Sequence, residues 1–243
     1  MPKFPTYPKV TARNFTRWNE EMFCKYNNER VYNHPNLIIR FVESTRVKQL
    51  LNHLLPIKDS DKILAAGCGE GHIEKYLKNG EITLIDISKE AIRRAKDGLG
   101  PQNNHKFIVG DLEKIPVRDN YFDKVECSEV IEHVMSPKRM LKELQRVLKP
   151  NGTLVITFPN EPLINFFKNV LIKLHLFNYF FPNIPRDMTE EWHLRAYDLK
   201  SFRRDLGGSW NIVNEVGIPF WFLPIRYLVK CVSGLDRGSP SSE

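Results

Sequence analysis

Ile63-Leu64-Ala65-Ala66-Gly67-Cys68-Gly69-Glu70-Gly71, followed by Leu84-Ile85-Asp86, is the stretch on which the fold turns. One apolar run ends in three glycines at alternate positions, and a second ends in a carboxylate. A strand that stops at Ala66 and turns on Gly67, Gly69 and Gly71 lets bare backbone approach a ligand, because no Cβ stands in the way. Asp86, closing the next strand, is placed to accept hydrogen bonds from the two hydroxyls of a ribose. The pattern predicts a nucleoside at the carboxyl ends of parallel strands, the usual ligand position of doubly wound sheets.

Outward from this stretch, strand and helix patterns alternate. Strands are expected over 62–66, 82–86, 106–109, 123–127 and 153–158, with helices over 71–79, 88–98 and 137–148. Ser88 is a suitable N-cap, Glu90 lies in the first turn of its helix, and Lys149-Pro150-Asn151-Gly152 is strong turn chemistry. Such alternation implies a parallel sheet with right-handed crossovers. Upstream, Leu37, Ile38, Phe41, Val42, Val47, Leu50, Leu51 and Leu54 recur near helical spacing until Pro56, predicting a helix packed on the sheet.

The first 33 residues form a basic, aromatic arm with a short helix around 15–26, and Phe15, Trp18, Tyr26 and Tyr32 are candidates for a lid over the ligand. Beyond Phe158, Leu163–Phe181 reads as an amphipathic helix. Phe166, Phe167, Val170, Leu171, Leu174 and Phe177 share one face, with Asn165, Lys168, Asn169 and Lys173 opposite. That face is expected to pack on the core, to form a hydrophobic lid, or to lie in a membrane interface. Tyr197–Leu206 reads as a helix, and Trp210–Val216 with Phe220–Leu228 as a hairpin completing the sheet. The organisation expected is an arm and helix over 1–56, an α/β domain over 57–233 carrying an inserted segment over 161–197, and a polar tail over 234–243.

A chain of 243 residues, 42% hydrophobic and 27% charged, can build one α/β core with decorations. Cys24, Cys68, Cys127 and Cys231 form no CxxC pair and read as free thiols in a reducing compartment. No apolar run of signal-peptide type occurs in residues 1–21, so a cytoplasmic location is expected, with peripheral membrane contact open. The net charge of +7 suits an unspecialised basic surface, a membrane surface or an anionic substrate; without an arginine-rich tract, nucleic acid is disfavoured. The histidines do not cluster at ligand spacing, so no metal is expected. Nothing in the chain specifies an oligomeric state.

His72 stands where a dinucleotide fingerprint wants its third glycine, which weakens a nicotinamide reading. Five ordered segments, ILAAGCGEG, ITLIDIS, FIVGDLEKIP, FDKVECSEVIEHV and LKELQRVLKPNGTLVITFPN, run from about Asp61 to Asn160. By these the chain resembles the class I S-adenosylmethionine-dependent methyltransferases, in their type-11-like small-molecule group. The resemblance implies a three-layer, Rossmann-like α/β sandwich whose sheet has seven mostly parallel strands, the last antiparallel. It implies S-adenosyl-L-methionine as cofactor and S-adenosyl-L-homocysteine as product. Gly67, Gly69 and Gly71 would approach the methionine moiety and ribose, with Cys68 a small filler in the same loop. Asp86 would hold the ribose hydroxyls, Ile87 and Leu112 would flank the adenine, Asp111 would accept from its amino group, and Ser128 would face the methyl-transfer channel.

The resemblance also offers His193 and His133 as candidate bases, with Glu129 to orient one of them. Ala65 departs from the pattern, since an acidic residue usually stands two positions before the first glycine. Its absence would weaken cofactor binding by about 1–3 kcal/mol unless Glu70 or Glu129 substitutes. The acceptor expected is a small apolar molecule such as a quinone, fatty or polyketide compound. An RNA or protein methyltransferase, or a catalytically silent S-adenosylmethionine-binding protein, is the alternative.

Overall fold

The alternation within Ile63-Leu64-Ala65-Ala66 divides the molecule into layers. All four side chains are wholly buried, Ile63 and Ala65 in one core cluster and Leu64 and Ala66 in another. A strand covered on both faces belongs at the centre of a sheet. In this computed structural model, which describes residues 10–25, 36–101, 104–181, 192–208 and 210–234, that strand is β1, Lys62–Ala66, paired in parallel with a neighbour on each side. The other strands are β2 (Glu81–Asp86), β3 (His105–Val109), β4 (Phe122–Ser128), β5 (Leu148–Pro159), β6 (Trp210–Phe220) and β7 (Leu223–Ser233). Their order is β3-β2-β1-β4-β5-β7-β6, and β7 runs antiparallel to both its neighbours. The seven-stranded, mostly parallel sheet with an antiparallel strand at its carboxyl-terminal end is the one expected.

Helices cover both faces. On one, α2 (Leu37–Leu54) and α3 (Lys89–Leu99) set Leu50, Leu54, Ile92 and Ala95 against Ile63, Ala65, Ile82 and Leu84. On the other, α4 (Pro137–Val147) and α7 (Leu199–Leu206) set Met140, Leu144, Phe202 and Leu206 against Leu64, Ala66, Val125 and Ile156. Side-chain caps start them: the Ser88 hydroxyl accepts from the Ala91 amide at 3.0 Å, and Asp198 accepts from Ser201 at 2.7 Å. Helix α1 (Phe15–Lys25) buries Phe15 and Phe23 and lies along α3, where the Glu20 carboxylate accepts from the Glu90 amide at 3.1 Å. Tyr26, Tyr32 and the tail beyond Gly234 fall outside the described residues.

Two expectations need correction. The helix expected over 71–79 is a turn with one 3-10 turn at Glu74–Tyr76. Gly71 enters it at φ 74°, Leu77 leaves it extended, and one turn suffices to bury Ile73 and Leu77. The amphipathic stretch is also two helices, α5 (Glu161–Lys173) and α6 (Phe177–Phe180), parted near His175, whose φ is 58°. Its apolar face does not pack on the core. Phe166, Val170 and Leu174 are exposed, and Glu161 is the residue α5 buries.

Candidate functional site

The glycine loop is fastened to the end of β2 before any ligand is considered. The amides of Gly67 and Cys68 both donate to the Ile85 carbonyl, at 2.8 and 3.1 Å. One Asp86 carboxylate oxygen accepts from the Gly69 amide at 2.9 Å, the other from the Ser88 amide at 2.9 Å. Burial pushes the Asp86 carboxyl up, and these amides restrain the rise. Each oxygen keeps a second lone pair, so Asp86 can brace the loop and still accept from two ribose hydroxyls. Gly67, Gly69 and Gly71 have φ of 75°, 53° and 74°, in the left-handed region. A Cβ on Gly67 would lie 2.5 Å from the Val130 side chain, so backbone and the segment after β4 meet there with no room to spare. A bare loop above a half-spent carboxylate fits a nucleoside.

The remaining predicted cofactor residues lie around the same sheet edge. Ile87 is half-buried between Asp86 and Ser88. Asp111 is exposed just beyond β3, and its carboxylate accepts from the Glu113 amide at 2.8 Å, closing a turn. Leu112 is buried in the core with Ile85 and Ile115. Cys68 is buried, and burial together with Asp86, Glu74 and Glu126 pushes its thiol well up. Such a thiol stays protonated, as a packing residue does and a nucleophile does not. Arg94 joins Glu70 at 2.7 Å while Phe23 of α1 lies 5.4 Å from its guanidinium, so α1 borders the loop.

Ser128 sits in a buried charged network absent from the sequence-based expectations. Its hydroxyl contacts Thr157 at 2.8 Å and accepts from Arg46. Arg46 pairs with Glu43 at 2.9 Å, Glu43 with Arg226 at 2.5 Å, and Arg226 with Glu129 at 2.6 Å. Burial pushes the Glu43 carboxyl up, but the guanidinium groups of Arg226 and Arg46 outweigh it and hold it at about 2. The signal for Glu43 and Arg46 was present in α2: the two charges, at i and i+3, fall within the stripe made by Val42, Val47 and Leu50.

Both expected substitutes are engaged in ion pairs, Glu70 with Arg94 and Glu129 with Arg226. The acid at that place is Glu126 on β4, the register partner of Ala65 and buried with it. Glu126 shares its surroundings with Glu74, whose carboxylate oxygens have no hydrogen-bond partner within 3.5 Å. Burial pushes both carboxyls up, with the Glu74 charge adding to it on Glu126 and the Asp86 charge on Glu74, so the pair holds on to a proton. A glutamate interrupting the apolar run of a central strand was its signal.

The structure also corrects the reading of the histidines. His133 and His193, distant in the chain, have ring centroids 4.8 Å apart and edge-to-face planes. Nδ1 of His133 lies 3.1 Å from the Trp192 carbonyl, and Nδ1 of His193 contacts the Glu161 carboxylate. Both partners accept, so each ring carries its proton on Nδ1 and leaves Nε2 open. Burial holds the imidazoles neutral, His133 at about 3 and His193 at about 4. Glu129 follows Ser128 at φ 56°, an unusual conformation for this residue type, and its charge acts on His193.

A methyltransferase-domain family matches residues 64–156. An uncharacterized methyltransferase of Schizosaccharomyces pombe is 36% identical over 108 residues, 40% of this chain and 39% of that protein. A demethylmenaquinone methyltransferase of Staphylococcus aureus is 29% identical over 149 residues, 59% of this chain and 62% of that protein. The chain thus spans between about two-fifths and three-fifths of the length of these curated relatives. Among solved structures, the N-methyltransferase NodS of Bradyrhizobium japonicum, in complex with S-adenosyl-L-homocysteine, superposes with a TM-score of 0.65 at 16% identity, covering 90% of this chain and 98% of that one. Residues 64–156 therefore match a methyltransferase-domain family, and the chain shares the Rossmann-like fold of the S-adenosyl-L-homocysteine-bound N-methyltransferase.

Proposed function

We propose that the protein transfers a methyl group from S-adenosylmethionine to a small lipophilic acceptor. The observation that carries this reading is the glycine loop braced on Asp86, with three left-handed glycines and unused lone pairs on the carboxylate. The residues that would hold the donor are Gly67, Gly69 and Gly71 along its length, Asp86 at the ribose, and Ile87, Asp111 and Leu112 around the adenine. Glu126, beside Ala65, offers carboxyl oxygens to the donor's ammonium, and Arg46, beside Ser128, a guanidinium to its carboxylate. Bound there, the donor supplies an electrophilic methyl on a sulfonium.

The chain's own contribution is position and dryness. Holding the acceptor atom in line with the S–CH3 bond is worth effective molarities on the order of 10^5–10^8 M. A site that solvates the sulfonium charge poorly favours the step that removes it. His193, His133 and Glu129 are the candidate groups to take a hydroxyl proton, and the burial that keeps both imidazoles neutral also weakens them as bases.

An apolar rim supports a lipophilic acceptor. Phe166 and Leu174 on α5, Leu37 and Phe41 on α2, and Trp221 and Phe222 in the β6–β7 turn are exposed. The Phe41 ring lies 5.9 Å from that of Phe220, and the Asn36 amide donates to the Phe180 carbonyl at 2.5 Å, so these elements adjoin. The Staphylococcus aureus relative, whose name gives demethylmenaquinone as its acceptor, points to the same substrate class. No helix among the described residues is long and apolar enough to cross a membrane.

Calorimetric titration with S-adenosylmethionine and its demethylated product tests the reading. Micromolar binding is expected, reduced at least about tenfold by Asp86→Ala or Gly69→Val, the loss of a charged hydrogen-bond acceptor being worth about 1.5–3 kcal/mol. Wild-type protein that binds neither compound removes the proposal.

A further inference from the structure

Glu129, Glu132 and His133 follow β4 on consecutive turns, and His193 reaches them from the segment that precedes α7. One ligand atom from each of Glu132, His133 and His193 lies within 4.8 Å of the others. Glu132 is 1% exposed, one of its oxygens has no hydrogen-bond partner within 3.5 Å, and the other is 3.8 Å from Nε2 of His133. Glu129 also keeps one buried oxygen without a partner, while the other holds Arg226. A carboxyl so placed ionises readily only where a positive charge faces it.

The outer surroundings have the form that metal ligands take. Each imidazole donates from Nδ1 to an oxygen, His133 to a backbone carbonyl and His193 to Glu161, so both Nε2 lone pairs are turned loose. This is how proteins fix the tautomer and raise the basicity of a ligating histidine. We propose that Glu132, His133 and His193 bind a divalent transition-metal cation. Two imidazoles with a carboxylate suit ions of the Mn2+, Co2+ and Zn2+ type, for which a thiolate is not required.

The role of such an ion, unlike its binding, rests on the methyltransferase reading. Val130, between Glu129 and Glu132, is the residue packed against Gly67, so the cluster adjoins the glycine loop. An ion there would take an acceptor hydroxyl as a further ligand and lower its pKa. The hydroxyl proton would leave to water. The oxygen would then form its bond to the methyl carbon as the S–C bond breaks and the sulfonium becomes a neutral thioether. The acceptor class is then an oxygen nucleophile, not an amine.

Titration of chelator-stripped protein with Co2+ alone, followed by visible absorption, tests the site. Wild-type protein should develop ligand-field bands with one-to-one stoichiometry. Glu132→Gln and His193→Ala should each weaken the affinity at least about tenfold, and His53→Ala, on α2, should leave it unchanged. Circular dichroism reports the fold of each variant, and should His193→Ala unfold, the near-isosteric Glu132→Gln decides. Absence of bands in wild type, or bands equally strong in a folded Glu132→Gln, overturns the proposal. The donor titration is run on the stripped protein, so failure of the cation site and failure of the methyltransferase reading show in separate experiments.

Discussion

Gly67 is a place where one methyl group separates two costs. Its φ of 75° charges an L-residue about 1–2 kcal/mol, and the added Cβ would meet Val130 at 2.5 Å. Gly67→Ala should therefore destabilise the protein by about 2–4 kcal/mol in chemical denaturation. Adding Val130→Ala should recover the steric share and leave the backbone share, a coupling that a double-mutant cycle measures directly. Two buried glutamates make a second residue-scale test because they titrate in opposite senses. Glu43 is held at about 2, so its stabilisation is complete above about pH 4.5 and lost as the pH falls through about 2. Glu43→Gln should cost about 3–5 kcal/mol at neutral pH and flatten that acid limb. Glu126 is pushed up, so its stabilisation is complete below about pH 4.5 and lost as the pH rises toward its folded value. Glu126→Gln should lose less stability than wild type as the pH rises above about 4.5, and urea titrations across pH would show both trends.

At the scale of elements, legibility followed packing. Strands β1 and β2 and the later part of β5 were plain in the sequence because strand stretches buried on both faces are largely apolar, and Ser88 announced α3 by its hydroxyl. The stretch after Gly71 misled because Ile73 and Leu77 have helical spacing, yet a single turn already buries them. Periodicity shows which residues share a face but not what the face meets. In α5 it grouped Phe166, Phe167, Val170 and Leu174 correctly and was silent on their exposure. That exposure has a direct test. Phe166→Ser with Phe167→Ser should shift stability within about 0.5 kcal/mol, as surface changes do. The same double variant should sediment measurably less with vesicles containing anionic lipid if α5 meets a membrane interface. Equal sedimentation of variant and wild type would leave the rim without that role.

For the molecule as a whole, the glycine loop and Asp86 could be read early because they are close in the chain and their chemistry depends on backbone. The polar centre could not. Glu43 and Arg46 come from α2, Ser128 and Glu129 from the end of β4, His193 from the segment before α7, and Arg226 from β7. Only the sheet brings these distant pieces to one edge, and no local spacing records their meeting.

β7 carries a consequence for biosynthesis. Residues 226–233 insert between β5 and β6, although they follow the other six described strands in the chain. Until they emerge, the long border of β5 has no partner, and an unpaired apolar border is what draws nascent chains into clumps. Arg226 rides on that strand, so the ion pair with Glu129 is also completed last. Emergence of β7 is therefore the event that closes the sheet and joins Arg226 to the site.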